Sequence, residues 1–127
     1  MCGIFGIYNF NQSPVELKLL NKISERMIFR GPDDSGIFIN GNVGIGMRRL
    51  AIMDPNGPCQ PIQNSKKNIH LVFNGEIYNY LELRQDLEEK GYKFYTDGDV
   101  EVLIYLYEEE GVKAINKLNG MFAFSLY

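Results

Sequence analysis

The stretch "GIFINGNVGIGM", residues 36–47, places Asn40, Gly41 and Asn42 between two β-prone runs and so predicts a hairpin. A turn of that kind joins antiparallel strands, which steers the chain away from regular βαβ alternation. Around it, "CGIFGIY" reads as a buried strand starting almost at the first residue, and "NIHLVFNGEIYNY" as a strand that stops at Asn74-Gly75 and leads towards a helix. "GMFAFSLY" reads as a last strand. Three helices fall between them. Ser13 as N-cap, Pro14 at the first helical position and Glu16 predict a helix to about Ile28. Asn79 with Glu82 predicts a capping box opening a helix that ends at Gly91, and a further helix runs from Asp99 or Val100 to about Glu110, closed by Gly111. "RLAIM" continues extended, and "DPNGPCQP" is loop. The order of strand, helix, several strands, helices and strand predicts an α+β fold with a mixed or antiparallel sheet covered by helices.

The 127 residues supply one domain's worth of core. A mean hydropathy of -0.20 suits a soluble globular chain, and no apolar run approaches the roughly 20 residues that span a membrane. Asn9, Asn11 and Gln12 interrupt the opening too soon for a signal peptide, which makes the cytoplasm the expected compartment. A formal net charge of -3 without a clustered Lys/Arg stripe leaves no footprint for nucleic acid. With no secretory signal, Cys2 and Cys59 are expected as free thiols. His70 is the only histidine, so any Cys-His mechanism must use it, and a His-rich metal site is excluded.

Cys2 becomes the N-terminal residue if Met1 is removed, and it then carries a thiol and an α-amine together. Their ordinary pKa values, about 8.5 and roughly 7.7 to 8.0, lie close enough for the amine to accept the thiol proton. Gly3 beside it admits a substrate carbonyl close to the backbone. In "FNGEIYN", the Asn74 side-chain amide and the Gly75 N–H are suitable donors to an oxyanion, with Glu76 a fixed negative charge beside them. Each feature also has a plain structural reading: a small apolar residue in a strand for Cys2, an ordinary turn for Asn74-Gly75. Arg48 and Arg49 are adjacent in an extended run, so only one can face a given pocket, where a guanidinium suits a carboxylate. Asp97, Asp99 and Glu101 cluster near a helix start, where acidic residues are expected from the helix dipole alone. Leu103, Tyr105, Leu106 and Tyr107 read as core and rim, Glu108 to Glu110 as a solvated run, Cys59 as a thiol without a visible partner and His70 as structural.

Taken in order, "MCGIFG", "RGPDDSG", "RRLAIMD", "QP", "FNGEIYNYLELR" and "LNGMFAFSLY" resemble the glutaminase domain of glutamine-dependent asparagine synthetases, a branch of the class II, N-terminal-nucleophile amidotransferases. The likeness runs along nearly the whole chain. It implies a four-layer αββα sandwich, incomplete at its C-terminal side, and hydrolysis of glutamine to glutamate and ammonia without a cofactor. Carried over, Cys2 is the nucleophile and its α-amine the base, and Asn74 and Gly75 form the oxyanion hole. Arg49 rather than Arg48 holds the glutamine α-carboxylate, Glu76 and Asp99 its α-amino group, and the backbone of Leu50, Ile52 and Met53 lines the pocket. Phe29, Met47 and Gly98 depart from the family, which often has histidine, histidine and serine or threonine there. ATP and Mg belong to a synthetase domain that the chain lacks and that receives the ammonia, so the chain reads as a truncated domain with an exposed sheet edge and a possible homo-oligomer. The alternatives are a silent glutamine-binding or docking fragment and a hydrolase using a Cys2-His70 pair.

Overall fold

The computed structural model describes residues 2–51 and 59–127. The hairpin around Gly41 forms: β2 (Asp34–Asn40) and β3 (Val43–Arg49) pair antiparallel, with Asn40 opposite Val43 and Asp34 opposite Arg49. β1 (Gly3–Tyr8) adds to the other edge of β3, Gly3 opposite Arg48 and Tyr8 opposite Val43. β3 is thus the centre of a first sheet ordered β1-β3-β2. A second three-stranded sheet has the order β4-β5-β6, from β4 (Ile62–Gln63), β5 (His70–Ile77) and β6 (Gly120–Leu126).

Side-chain alternation along the two central strands assigns the layers. On β3, Ile45 and Met47 are buried with Val72 of β5 between the sheets. Gly44 faces the other way, where a Cβ would lie 2.6 Å from Leu20 of α1 (Leu17–Arg26). On β5, Val72 points to the first sheet, while Leu71, Phe73 and Ile77 join a larger core with Leu83 and Leu87 of α2 (Tyr80–Glu89) and five consecutive buried residues, Val102 to Leu106, of α3 (Val100–Glu110). Helix, sheet, sheet and helices stack in that order, giving the four-layer αββα sandwich of the N-terminal-nucleophile hydrolases. The middle of α3, residues 102–106, is apolar on every side because the second sheet, α2 and a 3₁₀ segment (Gly111–Lys117) surround it.

Several local expectations are corrected. α1 begins at Leu17 rather than Pro14. The Ser13 hydroxyl is taken by the Asn11 side chain at 2.8 Å, and the Val15 N–H donates to the Gly41 carbonyl, so 13–15 are pulled across the hairpin before the helix can start. β5 does not stop at Asn74-Gly75 but keeps its pairing with β6 to Ile77. Asn79 precedes α2 without capping it. Its side chain instead accepts from Asn119 N–H and donates to the Lys117 carbonyl, tying the entry of α2 to the entry of β6. β4 and the 3₁₀ segment had no signal in the sequence.

Candidate active site

β1 and β3 carry Cys2 and Arg49 to the same end and the same face. Gly3 and Arg48 point towards α1: a Cβ on Gly3 would lie 2.5 Å from Met27, and Arg48 Nε donates to the Gly31 carbonyl at 2.7 Å. By alternation Cys2 and Arg49 turn inward, towards the second sheet, and Cys2 packs against the cluster of Ile45, Met47 and Val72. Its sulfur accepts from the Leu50 N–H at 3.4 Å and lies 3.6 Å from the Leu50 carbonyl oxygen. Its own carbonyl accepts from Arg30 Nε at 3.2 Å.

The segment under the sulfur is held from the "RGPDD" loop. The Asp33 N–H donates to the Arg49 carbonyl at 3.0 Å, and the Asp33 carboxylate accepts from the Ala51 N–H at 2.7 Å. Gly31 is required here because a Cβ would sit 2.4 Å from the Arg48 carbonyl carbon. The sequence exposed this motif without exposing the supports provided by Arg30 and Asp33. A glycine-proline turn flanked by ionisable residues was the available signal. Ile52 and Met53, expected to line the pocket, lie outside the described residues.

Across the sandwich, Asn74 and Glu76 share the inward face of β5 with Val72. Which end they occupy follows from a cleft of about 490 Å³ that groups Gly6, Ile7 and Tyr8 with Ser125, Leu126 and Tyr127. Ser125 and Leu126 pair with Val72 and Leu71, so the far end of β1 lies over the start of β5, and the Cys2 end lies over Asn74 to Ile77.

The edges of β5 differ. His70 N–H and Tyr78 N–H bond to Tyr127 and Asn119, so the even-numbered N–H groups point to β6. The odd-numbered ones point to the β4 side, where β4 begins only at Ile62, opposite Leu71, and leaves residues 73–77 without a strand partner on that edge among the described residues. Phe73 N–H donates to Gln60 Oε1 at 2.6 Å and Ile77 N–H to Asp99 Oδ2 at 2.8 Å. Gly75 N–H lies between these two and is the donor that the edge presents outward. Gly75 itself has φ 149°, and a Cβ there would meet the Met121 carbonyl oxygen at 2.1 Å.

Asp99 thus arrives beside the Glu76 end of β5. Burial raises its carboxyl above the ordinary value, while N–H groups of Ile77, Asp99 and Val100 pull it back down. Glu101, expected as a first-turn acid, is 5% exposed and accepts from Tyr95 N–H, Thr96 N–H, the Thr96 hydroxyl and the Tyr105 hydroxyl. It holds the loop leading to Asp99. His70 stands at the opposite end of β5, its ring stacked on Phe38 at 3.6 Å between centroids, away from the Cys2 end. No group of His, Cys, Asp and Glu among the described residues could hold a metal ion. None of their helices is long and apolar enough to cross a membrane.

A family model described as a glutamine amidotransferase domain matches residues 1–127. The chain is 42% identical over 130 residues to asparagine synthetase [glutamine-hydrolyzing] 1 of Bacillus subtilis, covering 100% of this chain and 21% of that protein. It is 43% identical over 128 residues to asparagine synthetase B of Escherichia coli, covering 100% and 23%. It therefore spans about a fifth of the length of these relatives. Among solved structures, the glutamine phosphoribosylpyrophosphate amidotransferase of B. subtilis superposes with a TM-score of 0.76 over 98% of this chain and 34% of that one, at 24% identity, a likeness of fold. An allosteric regulatory enzyme of purine biosynthesis matches with a TM-score of 0.60 and 30% identity over 70% of this chain and 22% of that one. With an inward-facing Cys2 in an αββα sandwich and a family model spanning every residue, this chain belongs to the glutamine amidotransferase domain family.

Proposed function

We propose that the chain hydrolyses glutamine to glutamate and ammonia, with Cys2 as nucleophile once Met1 is removed, and that the ammonia passes to a synthetase part of a longer protein or to a separate chain that makes asparagine with ATP and Mg. The observation that carries this reading is the presence, at one end of the sandwich, of the Cys2 thiol and an outward-pointing Gly75 N–H. The thiol gives its proton to the α-amine, and the sulfur adds to the glutamine Cδ carbonyl. The carbonyl oxygen becomes an oxyanion held by the Gly75 N–H and the Asn74 amide. On collapse the C–N bond breaks, the amine's proton goes to the leaving nitrogen, and ammonia departs from a thioester. Water then adds to that carbonyl carbon, the C–S bond breaks, and glutamate leaves with the thiol restored.

In the same reading Arg49 binds the α-carboxylate, Glu76 and Asp99 bind the α-ammonium, and the backbone of Leu50, Ile52 and Met53 lines the pocket. The burial that raises the Asp99 carboxyl makes an ammonium partner more valuable there than at a solvated carboxylate. The test is an intact mass spectrum before and after exposure to a glutamine-like diazoketone. Loss of Met1 and one adduct, suppressed by excess glutamine and absent in Cys2→Ala, is the expected result. Retained Met1, or no protected adduct on folded protein, overturns the proposal in favour of a silent binding fragment.

A further inference from the structure

The two sheets touch face to face with no hydrogen-bond ladder between them, so their placement along the strand direction depends on side-chain packing and on single contacts, among them the Asn40–Tyr127 hydrogen bond at the end opposite Cys2. Nearer the Cys2 end, Gln60 touches both sheets, by close packing on one and by a hydrogen bond on the other. The Gln60 carbonyl oxygen rests on β2 at Gly36, where a Cβ would lie only 2.0 Å from it. The Gln60 side chain reaches β5, where Oε1 accepts the Phe73 N–H at 2.6 Å. Any side chain at position 36 would push this residue away.

Gly36 pairs with Met47, and Met47 with Ile4, so Gln60 fixes the row Gly36, Met47, Ile4 against Phe73. Two residues further towards the site, the first sheet presents Asp34, Arg49 and Cys2, and the second presents Gly75. Phe73 and Gly75 N–H lie on the same edge of β5, so the hydrogen bond that anchors one sets where the other points. Ile77, the next donor on that edge, is held by Asp99.

We infer that Gln60 is a positioning residue that sets the register of the two sheets and thereby holds the Cys2 sulfur opposite the Gly75 N–H. The inference rests on the glutaminase reading for its catalytic consequence, but the register itself is a structural property. Gln60→Met keeps the length of the side chain and removes the acceptor, while Gln60→Glu keeps an acceptor. Gly36→Ala displaces the backbone of residue 60 and leaves its side chain intact.

In glutaminase assays, Gln60→Met and Gly36→Ala are expected to lower kcat at least tenfold with KM changed less than threefold. Gln60→Glu is expected to recover most of that loss. In parallel, nuclear magnetic resonance of Gln60→Met is expected to show faster hydrogen exchange at the Phe73 amide and weakened methyl contacts between Ile45 and Val72, both restored in Gln60→Glu. If the parent chain is folded but inactive, the proposed function fails, and the exchange and methyl contacts still decide the register. If Gln60→Met leaves kcat, Phe73 exchange and the Ile45–Val72 contacts as in the parent, the inference is wrong whatever the parent's activity. A variant that loses only thermal stability, with kcat of the folded fraction unchanged, overturns it equally.

Discussion

Cys59 lies immediately before Gln60, its sulfur 3.3 Å from the Gln60 carbonyl oxygen, and burial together with the neighbouring Asp34 carboxylate pushes its thiol up to about 11. At pH 8 a thiol of that kind is only about 0.1% ionised, and the thiolate is the reactive form. A brief, substoichiometric exposure to iodoacetamide at pH 8, followed by peptide mapping, is expected to mark Cys2 well before Cys59. Equal labelling of the two would show that Cys59 is not shielded in this way. At this scale the sequence was informative about chemical type and poor about direction. It offered Arg48 and Arg49 as interchangeable neighbours, and only the family resemblance preferred the second. What separates them is the pairing Gly3 opposite Arg48, a contact between residues far apart in the chain. Asp97, Asp99 and Glu101 were likewise one acidic cluster in the sequence, yet one binds the end of β5 and another disappears into the core.

Among the elements, α3 shows how a charged side chain can be structural. Glu101 occupies the first turn, where an acid favours the helix dipole, but four donors converge on its carboxylate and bind residues 95–96 to the helix. Glu101→Ala strands those donors and is expected to cost about 3 kcal/mol of unfolding free energy, since unsatisfied buried partners of a charged group carry the penalty. Denaturant titration measures this, and a loss below about 1 kcal/mol would mean that water replaces the carboxylate. The hairpin at Gly41, the ends of α2 and α3 at glycine, and most strand runs were legible because their signals are local. The start of α1 was not, because the bond from Val15 to Gly41 competes with the Ser13-Pro14 cap and is non-local. The same holds for Asn79, whose side chain is drawn away to residues 117 and 119.

At the scale of the molecule, His70 ties the sheets at the end opposite Cys2. Its ring stacks on Phe38 of β2 and stands 6.5 Å from the Tyr127 ring, whose hydroxyl accepts from Asn40. The rings beside the imidazole, Phe38 and Tyr127, and the strand partner Gln63 carry no charged side chain at neutral pH. Burial lowers the His70 pKa, against a smaller opposing effect of the hydrogen bond with the Lys67 backbone. A histidine with a depressed folded-state pKa contributes stability above its unfolded value, near 6.5, and loses it as pH falls through the folded value. Asp99 acts with the opposite sign, since its raised carboxyl favours the folded state as pH falls. His70 therefore pulls the denaturation midpoint down between pH 7 and pH 5, and His70→Phe is expected to make the slope of the midpoint with pH less positive over that range. Because the chain has one histidine, an unchanged slope in the variant would refute the assignment.

Gly75 has a consequence for inheritance as well as for chemistry. The donor offered at that position is a main-chain N–H, so no ordinary side-chain replacement can delete it, and proline alone would. Yet every replacement brings a Cβ into the Met121 carbonyl oxygen at a φ that only glycine tolerates well. A missense change there is therefore expected to show as a folding defect rather than as a folded chain that merely lacks the donor. The packing of β5 on β6 is by itself sufficient reason for glycine at this position, whatever use is made of the N–H.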